Sequence, residues 1–369
     1  MEYKAFQDTK LSRLGMGNMR LPVVPGQPDT VIDKEKAQEI IDYAIAQGIN
    51  YFDTAYVYHG GSSEKFLGEA LVDRYPRDSF YLATKYLIFA NKDYKAVFEE
   101  QLKRLHTDHI DFYLIHGINN QIAQQYIDSG AVDYFIEQKK AGRITYLGFS
   151  SHSSPETLEK FTIHHNWDFA QIQLNYFDWL FGSSKAEYEV LEKHNIPIVV
   201  MEPVRGGRLA NLTPETEKIL KDAHPEWSIP AWALRFVKSL PQVQVVLSGM
   251  STMYQIEDNI ATFSDETVMS KEDEALLLDV CTQFRDQIKV PCTACRYCCD
   301  TCPAKINIPE VLRVYNTYKL QGGWALNQLK EIQTDGQPKD CVGCGACTEH
   351  CPQNIDIPAI MSELRDLTA

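Results

Sequence analysis

Apolar residues recur along the first two thirds of the chain in two alternating rhythms. Short runs rich in β-branched and aromatic residues are expected to be strands: Leu14 to Met16, Ile49 to Asp53, Phe80 to Lys85, Asp111 to His116, Ile144 to Ser150, Phe169 to Asn175, Ile196 to Glu202 and Val243 to Gly249. Between them, apolar positions return every three or four residues. The stretch from Lys34 to Gln47 sets Ile40, Ile41, Ala44 and Ile45 on one face and is followed by Gly48; Tyr94 to Leu105 has the same character, and both read as helices. Eight strand–helix alternations predict an α/β fold, a (β/α)₈ TIM barrel, whose working groups sit where strands end and the following loops begin. An open doubly wound sheet is the competing arrangement. It is disfavoured because no GxGxxG fingerprint follows the first strand, and because polar residues stand at nearly every strand's C-terminal end.

After these alternations Lys271 to Phe284 predicts one more helix, and Pro291 breaks the chain before a different kind of sequence. Two domains are expected, a barrel at 1–285 and a small helical module at 286–369. Within the module CPAKINIPEVL, from Cys302, is echoed by CPQNIDIPAIM, from Cys351. Each copy puts a proline early in a helix, where its missing N–H is harmless, so the module is internally duplicated. Between the copies, Pro309 to Lys319 and Trp324 to Ile332 carry helical patterns.

Composition narrows the chemistry. The 369 residues are 44% hydrophobic and 23% charged, which excludes disorder, collagen and a disulfide miniprotein. Of the net charge of −14, the first 284 residues supply −13, with 27 Lys and Arg against 40 Asp and Glu. Nucleic acid and anionic membrane are therefore not expected as partners, since both need a basic surface. No apolar stretch approaches roughly 18 residues, and the first residues show no basic region followed by an apolar run. The expected location is cytoplasmic, where thiols stay reduced and clustered cysteines are metal ligands rather than disulfides.

All ten cysteines lie after residue 280. Cys292, Cys295, Cys298 and Cys302-Pro303 follow CxxCxxCxxxCP, and Cys341, Cys344, Cys347 and Cys351-Pro352 repeat it. Three thiolates at two-residue separations can wrap three corners of a cubane from one loop. The competing reading, a pair of structural zinc sites, would show two CxxC pairs rather than triplets ending in CP. Two [4Fe-4S] clusters are expected. The module resembles bacterial-type ferredoxins, in the helical variety of respiratory iron–sulfur subunits, and the resemblance implies crossed ligation: Cys292, Cys295 and Cys298 with Cys351, and Cys341, Cys344 and Cys347 with Cys302. Cys281, among leucines, is expected in a core, and Cys299 beside a cluster; neither is given a role.

The second predicted strand ends in FDTAYVYHGG, the third in LATK and the fourth in DFYLIHG, which brings Asp53, Tyr58, Lys85 and His116 to one barrel mouth. Taken singly these residues could be a helix cap, a wall aromatic, a solvated amine and a core histidine. Together they resemble the tetrad of the aldo-keto reductases, a resemblance running over essentially residues 1 to 264. The chemistry agrees with it. Reducing a carbonyl by hydride needs a proton donor at the developing alkoxide, and a free tyrosine, with a pKa of about 10, is a poor one. The ammonium of Lys85 would favour the phenolate of Tyr58, Asp53 would hold Lys85, and His116 would polarise the carbonyl oxygen.

The resemblance further implies a nicotinamide cofactor, NADP or NAD. Ser150, Ser151 and Gln173 would hold its carboxamide, with Gly17, Asn18, Met19 and Arg20 lining the same cleft. The Gly206-Gly207 backbone would approach the pyrophosphate, with Arg208 beside it, and Gln255 and Asn259 would meet the adenosine end. Two positions depart from the family pattern: Met201 stands where many relatives place a tyrosine under the nicotinamide, and Gly249 and Gln255 stand where a basic residue meets the adenosine ribose. The aromatics Tyr56, Tyr86, Phe89, Phe177 and Trp179 are expected to crowd the mouth and to suit a flat or cyclic carbonyl or alcohol. Hydride carries two electrons whereas cubane clusters exchange single ones, and no flavin fingerprint bridges them. Three readings follow: an enzyme exchanging electrons with a ferredoxin or flavoprotein partner, a self-sufficient reductase with structural clusters, and a binding subunit whose barrel is a scaffold.

Overall fold

The computed structural model of the protein describes residues 1–285, 289–321, 323–332 and 334–368. The domain boundary expected near residue 286 falls outside them. By contact density the chain forms two compact units, one made of Met1–Pro203 with Glu226–Glu274, the other of Val204–Pro225 with Ala275–Ala369.

The first unit opens with a hairpin the sequence pattern did not reveal, β1 (Tyr3–Phe6) against β2 (Thr9–Ser12). Eight parallel strands then close a barrel: β3 (Leu14–Gly17), β4 (Tyr51–Asp53), β5 (Tyr81–Tyr86), β6 (Ile110–Ile118), β7 (Ile144–Ser151), β8 (Phe169–Gln173), β9 (Ile198–Met201) and β10 (Val243–Ser248). Each pairs with its neighbours in sequence, and β10 returns to β3. Connecting helices start on side-chain caps: Asp33 accepts from Lys36 N–H, Asp93 from Ala96, Ser154 from Thr157 and Ser228 from Ala231. Each such cap contributes about 1 kcal/mol.

Strand alternation sorts side chains by parity. Tyr51, Ala83, Phe112, Leu114, Tyr146, Phe169, Val199, Val245 and Leu247 form one core cluster inside the barrel. Phe6 and Leu11 of the hairpin join that cluster, so the hairpin plugs the end where strands begin. Two or four residues further along the same inward parity lie Asp53, Lys85, His116, Ser150, Gln173 and Met201. The apolar plug at one end leaves the opposite end for polar groups.

The second unit shows the duplication in its backbone. Ala294 and Arg296, at φ 54° and 70°, occupy the places that Gly343 and Gly345 occupy in the second copy, at 69° and 79°. Lys305 and Asn354, three residues after Cys302 and Cys351, match at 54° and 51°. Helices Ile308–Gln321 and Ile357–Thr368 follow, each with proline at its second residue. The helical pattern at Trp324 to Ile332 is realised as 3₁₀ turns over Gly323–Glu331. The core gathers Val290, Ile306, Val311, Leu312, Ile357, Met361 and Leu364 around Cys298, Cys302 and Cys347. At Gly336 a Cβ would stand 1.9 Å from the Ala304 carbonyl oxygen, so only glycine allows the bridge between Ile306 and Gly336. Cys281 is fully buried in the helix Lys271–Arg285, and Cys299 packs against the core.

Candidate active site

Three of the four tetrad candidates end adjacent strands, and the backbone brings in the fourth. Tyr58 begins a tight turn, Tyr58–Gly61, in which His59, Gly60 and Gly61 all have positive φ. This fold-back returns Tyr58 to the mouth that Asp53 has just left. Lys85 Nζ donates to both Asp53 carboxylate oxygens at 2.6 Å and to the Thr54 carbonyl at 2.7 Å. All three ammonium protons are thereby committed, so Lys85 acts on Tyr58 through its field; Nζ lies 5.0 Å from the Tyr58 ring centroid. The Tyr58 ring meets His116 edge-on, centroids 5.9 Å apart. Tyr58 is 8% exposed and His116 4%, whereas Lys85 is fully enclosed.

Burial governs the electrostatics. It raises the pKa of Asp53 and lowers that of Lys85, and the mutual attraction of the two opposes both shifts. Two hydrogen bonds across the pair, with a third from Nζ to a carbonyl, make the charged form the one this geometry serves. His116 is held well below its ordinary value by burial, with further lowering from Lys85 and His152. It is a neutral imidazole at pH 7, and its Nδ1 is buried without a hydrogen-bond partner among the described residues. Because the folded pKa lies below the unfolded one, the unfolded chain takes up the proton first. Stability is complete above about pH 6.5 and is lost as pH falls below it. The thermal midpoint is therefore expected to drop as pH goes from 7 to 5, and to drop less in His116→Gln; an equal drop in both would place His116 in water.

Behind the pair lies a network that sequence reasoning missed. Glu64 is fully buried and accepts from Thr84 Oγ1 at 2.6 Å, Gln101 Nε2 at 2.7 Å and Arg104 Nη1 at 3.0 Å. Gln101 also donates to the Lys85 carbonyl at 3.0 Å, and Arg104 to that of Tyr56 at 3.1 Å, so the network fixes the backbone on either side of the tetrad. A signal was present: Glu64 falls on the apolar face of its segment with Leu67 and Leu71, where a charge is out of place unless paired.

The cofactor candidates of the first unit divide. Asn18 donates from its backbone N–H and from Nδ2 to the Asp53 carbonyl, at 2.8 and 3.0 Å, which pins the end of β4. Ser150 faces the mouth, and its Oγ accepts from Gly117 N–H at 2.8 Å. Ser151 has the opposite parity, and its hydroxyl bonds to that of Ser153. Gln173 Nε2 donates to Asp178 at 2.7 Å, and Met201 Sδ accepts from Gln171 at 3.5 Å. Asn259 bonds to Ser248 Oγ, and Gln255 Oε1 accepts from Ser251 N–H. Ser251 Oγ donates to the Arg20 carbonyl, and the Arg20 stem passes 3.1 Å from where a Cβ of Gly249 would begin. Gly17 lies against the Ser248 carbonyl. Met19 is half-buried beside it in sequence.

The expected aromatic wall needs correction at Tyr86. Tyr86 has outward parity and is fully buried among Tyr94, Tyr126 and Phe135. Trp179 packs on Tyr188 and Phe236, and Phe177 on Phe181. Tyr56 is covered by Arg104, and Phe89 is 61% exposed.

In the second unit the eight patterned cysteines surround two cavities. Cys292, Cys295, Cys298 and Cys351 line one, and Cys302, Cys341, Cys344 and Cys347 the other. Each cavity thus takes three cysteines from one motif and the last from the other. The thiols stand apart around each cavity; among the described residues no three His, Cys, Asp or Glu side chains close on a single ion.

Comparison with known proteins agrees with both units. Residues 13–277 match the Aldo/keto reductase family, and residues 291–355 match a 4Fe-4S dicluster domain. The chain is 29% identical over 308 residues to "Uncharacterized oxidoreductase YqkF" of Bacillus subtilis, covering 73% of this chain and 92% of that protein. It is 26% identical over 272 residues to "Methylglyoxal reductase YeaE" of Escherichia coli, covering 71% and 91%. Among solved structures it is similar to the aldo-keto reductase AKR11C1 from Bacillus halodurans, with a TM-score of 0.63 and 26% identity over 76% of this chain and 96% of that one. No helix among the described residues is long and apolar enough to cross a membrane.

Proposed function

The chain belongs to the aldo/keto reductase family, and we propose that its barrel interconverts a carbonyl and an alcohol of a small molecule with a nicotinamide cofactor. The reading is carried by one observation, the buried Lys85–Asp53 pair lying against Tyr58, with His116 edge-on to that ring.

The residues present suit the cofactor. A carboxamide offers one acceptor and one donor. The Ser150 hydroxyl, whose oxygen already accepts from Gly117, has its proton left to give, and Gln173, whose NH₂ is held by Asp178, has its carbonyl oxygen left to accept. Gly17, Asn18, Met19, Arg20, Ser151, Met201, Gly249, Gln255 and Asn259 would complete that cleft. The aliphatic stem of Arg20 passes Gly249, so the missing basic residue does not exclude a 2′-phosphate, and NADP and NAD both fit. When bound, the nicotinamide supplies or accepts the hydride. Tyr58 gives its proton to the developing alkoxide in reduction and takes one from the alcohol in oxidation. Lys85 stabilises the phenolate through its field, and Asp53 and Thr54 fix the ammonium. His116, neutral, gives its single N–H to the substrate oxygen.

For the second unit we propose two [4Fe-4S] clusters, at Cys292, Cys295, Cys298 and Cys351 and at Cys302, Cys341, Cys344 and Cys347, in a domain of residues 286–369 following a barrel of residues 1–285. Four thiols around each cavity are the donor set such clusters take. In this reading they relay electrons to or from a ferredoxin or flavoprotein in the cytoplasm. Anaerobic addition of NADPH or NADH to the reconstituted full chain tests the relay. One equivalent carries two electrons, enough for both clusters, and bleaching of their visible absorbance is expected. Unchanged absorbance during sustained carbonyl turnover would make the clusters structural.

A further inference from the structure

The segment Val204–Pro225 follows β9 in the chain, yet it packs with Ala275–Ala369. It carries two arginines at its start. Arg205 is 1% exposed, holds a left-handed backbone (φ 50°), and donates from Nη2 to Gln353 Oε1 at 3.2 Å. Gln353 lies two residues after Cys351 and lines the cavity of Cys292, Cys295, Cys298 and Cys351. Arg208 has its Nε buried without a hydrogen-bond partner among the described residues. Both arginines lie within electrostatic reach of Cys292, one of the four cysteines of that cavity. A third cation, Arg296, lines the same cavity.

The other cavity differs. Around Cys302, Cys341, Cys344 and Cys347 the lining is apolar, with residues such as Ile306, Ile308, Val342, Ile357 and Met361, and among the described residues no charged side chain lines it. Two cages built from a repeated motif thus sit in unlike fields. A cluster on four thiolates is an anion, and taking up one electron makes it more negative, a change that nearby cations favour.

We propose that Arg205 and Arg208 form a cationic wall for the cluster at Cys292, Cys295, Cys298 and Cys351, raising its reduction potential above that of its twin so that an electron rests there first. This rests on the reading that both cavities hold [4Fe-4S] clusters. The arginines act through the cluster's charge and are positioning rather than catalytic residues. Net charge and hydrogen bonding near the sulfurs are the levers by which proteins set such potentials.

The test is an anaerobic redox titration of the full chain, with dithionite as the one-electron donor and electron paramagnetic resonance as the readout. Iron and sulfide are assayed on the same samples. Wild type is expected to show two resolved couples. Arg208→Gln is expected to weaken reduction at the higher couple about tenfold, a shift of about 59 mV for one electron, and to leave the lower couple in place. Arg208→Lys, which keeps the charge, should stay close to wild type. Arg205→Gln is expected to act in the same direction; should it fail to fold, Arg208→Gln decides. Unmoved couples, or equal movement of both, in an Arg208→Gln protein with full iron content would overturn the proposal. Wild type that takes up no iron would instead overturn the cluster reading, and the proposal with it.

Discussion

Tyr58→Phe is expected to slow carbonyl turnover by about 10²- to 10⁴-fold, the usual contribution of a positioned proton donor. The substitution removes one oxygen from a ring that is 8% exposed and leaves the edge-on contact with His116 and the Lys85 charge 5.0 Å from the ring centroid in place. Folding, nicotinamide binding and the cluster spectrum should therefore persist, and the loss should fall on kcat more than on KM. Steady-state kinetics with a series of small aldehydes and ketones, alongside fluorescence titration of the cofactor, reads both quantities. Turnover at the wild-type rate would remove Tyr58 from the chemistry and shift the weight to a barrel that serves as a scaffold.

Lys85→Met should cost both activity and stability. The variant leaves the Asp53 carboxylate enclosed with no ammonium, and breaking one side of a buried pair typically costs about 3–5 kcal/mol. Asp53 can relieve that cost by taking a proton, because burial already pushes its pKa up. A carboxyl whose folded pKa lies above its unfolded one destabilises increasingly as pH rises through the unfolded value, until the folded value is passed. The deficit against wild type should accordingly be larger at pH 8 than at pH 5, as urea denaturation at the two pH values would show. Adding Asp53→Asn removes the stranded charge and should return part of the stability while activity stays low. A deficit independent of pH, or a double variant no more stable than the single one, would contradict the buried-pair account.

Glu64 explains why such variants need care at their edges. Its contacts with Thr84, Gln101 and Arg104 end on the backbone of Tyr56 and Lys85, so truncating this carboxylate would loosen the tetrad from behind without touching it.

Much of this protein was legible in its sequence for physical reasons. A strand buried on both faces must be apolar, and each of the eight runs became a barrel strand within a few residues of its expected limits. The cysteine pattern was legible because ligand spacing within one loop is a local property. Parity within a strand is local too, and it separates Ser150 from Ser151 and turns Tyr86 outward, away from the mouth at which it was expected.

Contacts between distant segments were not legible. The hairpin at Tyr3–Ser12 has four-residue strands and no long periodicity, and its purpose becomes visible only when Phe6 and Leu11 meet the barrel core. The partners of Glu64 lie 20 to 40 residues away. The family resemblance implies that Gly206, Gly207 and Arg208 meet a pyrophosphate; no local pattern shows that their segment groups by its contacts with the cysteine-rich unit, with Arg205 on Gln353. Sequence by itself determined which elements form and which residues could do the chemistry, because periodicity and ligand spacing act over a few residues. Only the tertiary structure decided which charges face each other, because charge pairing is settled by distance in space, and the chain carries no local record of it.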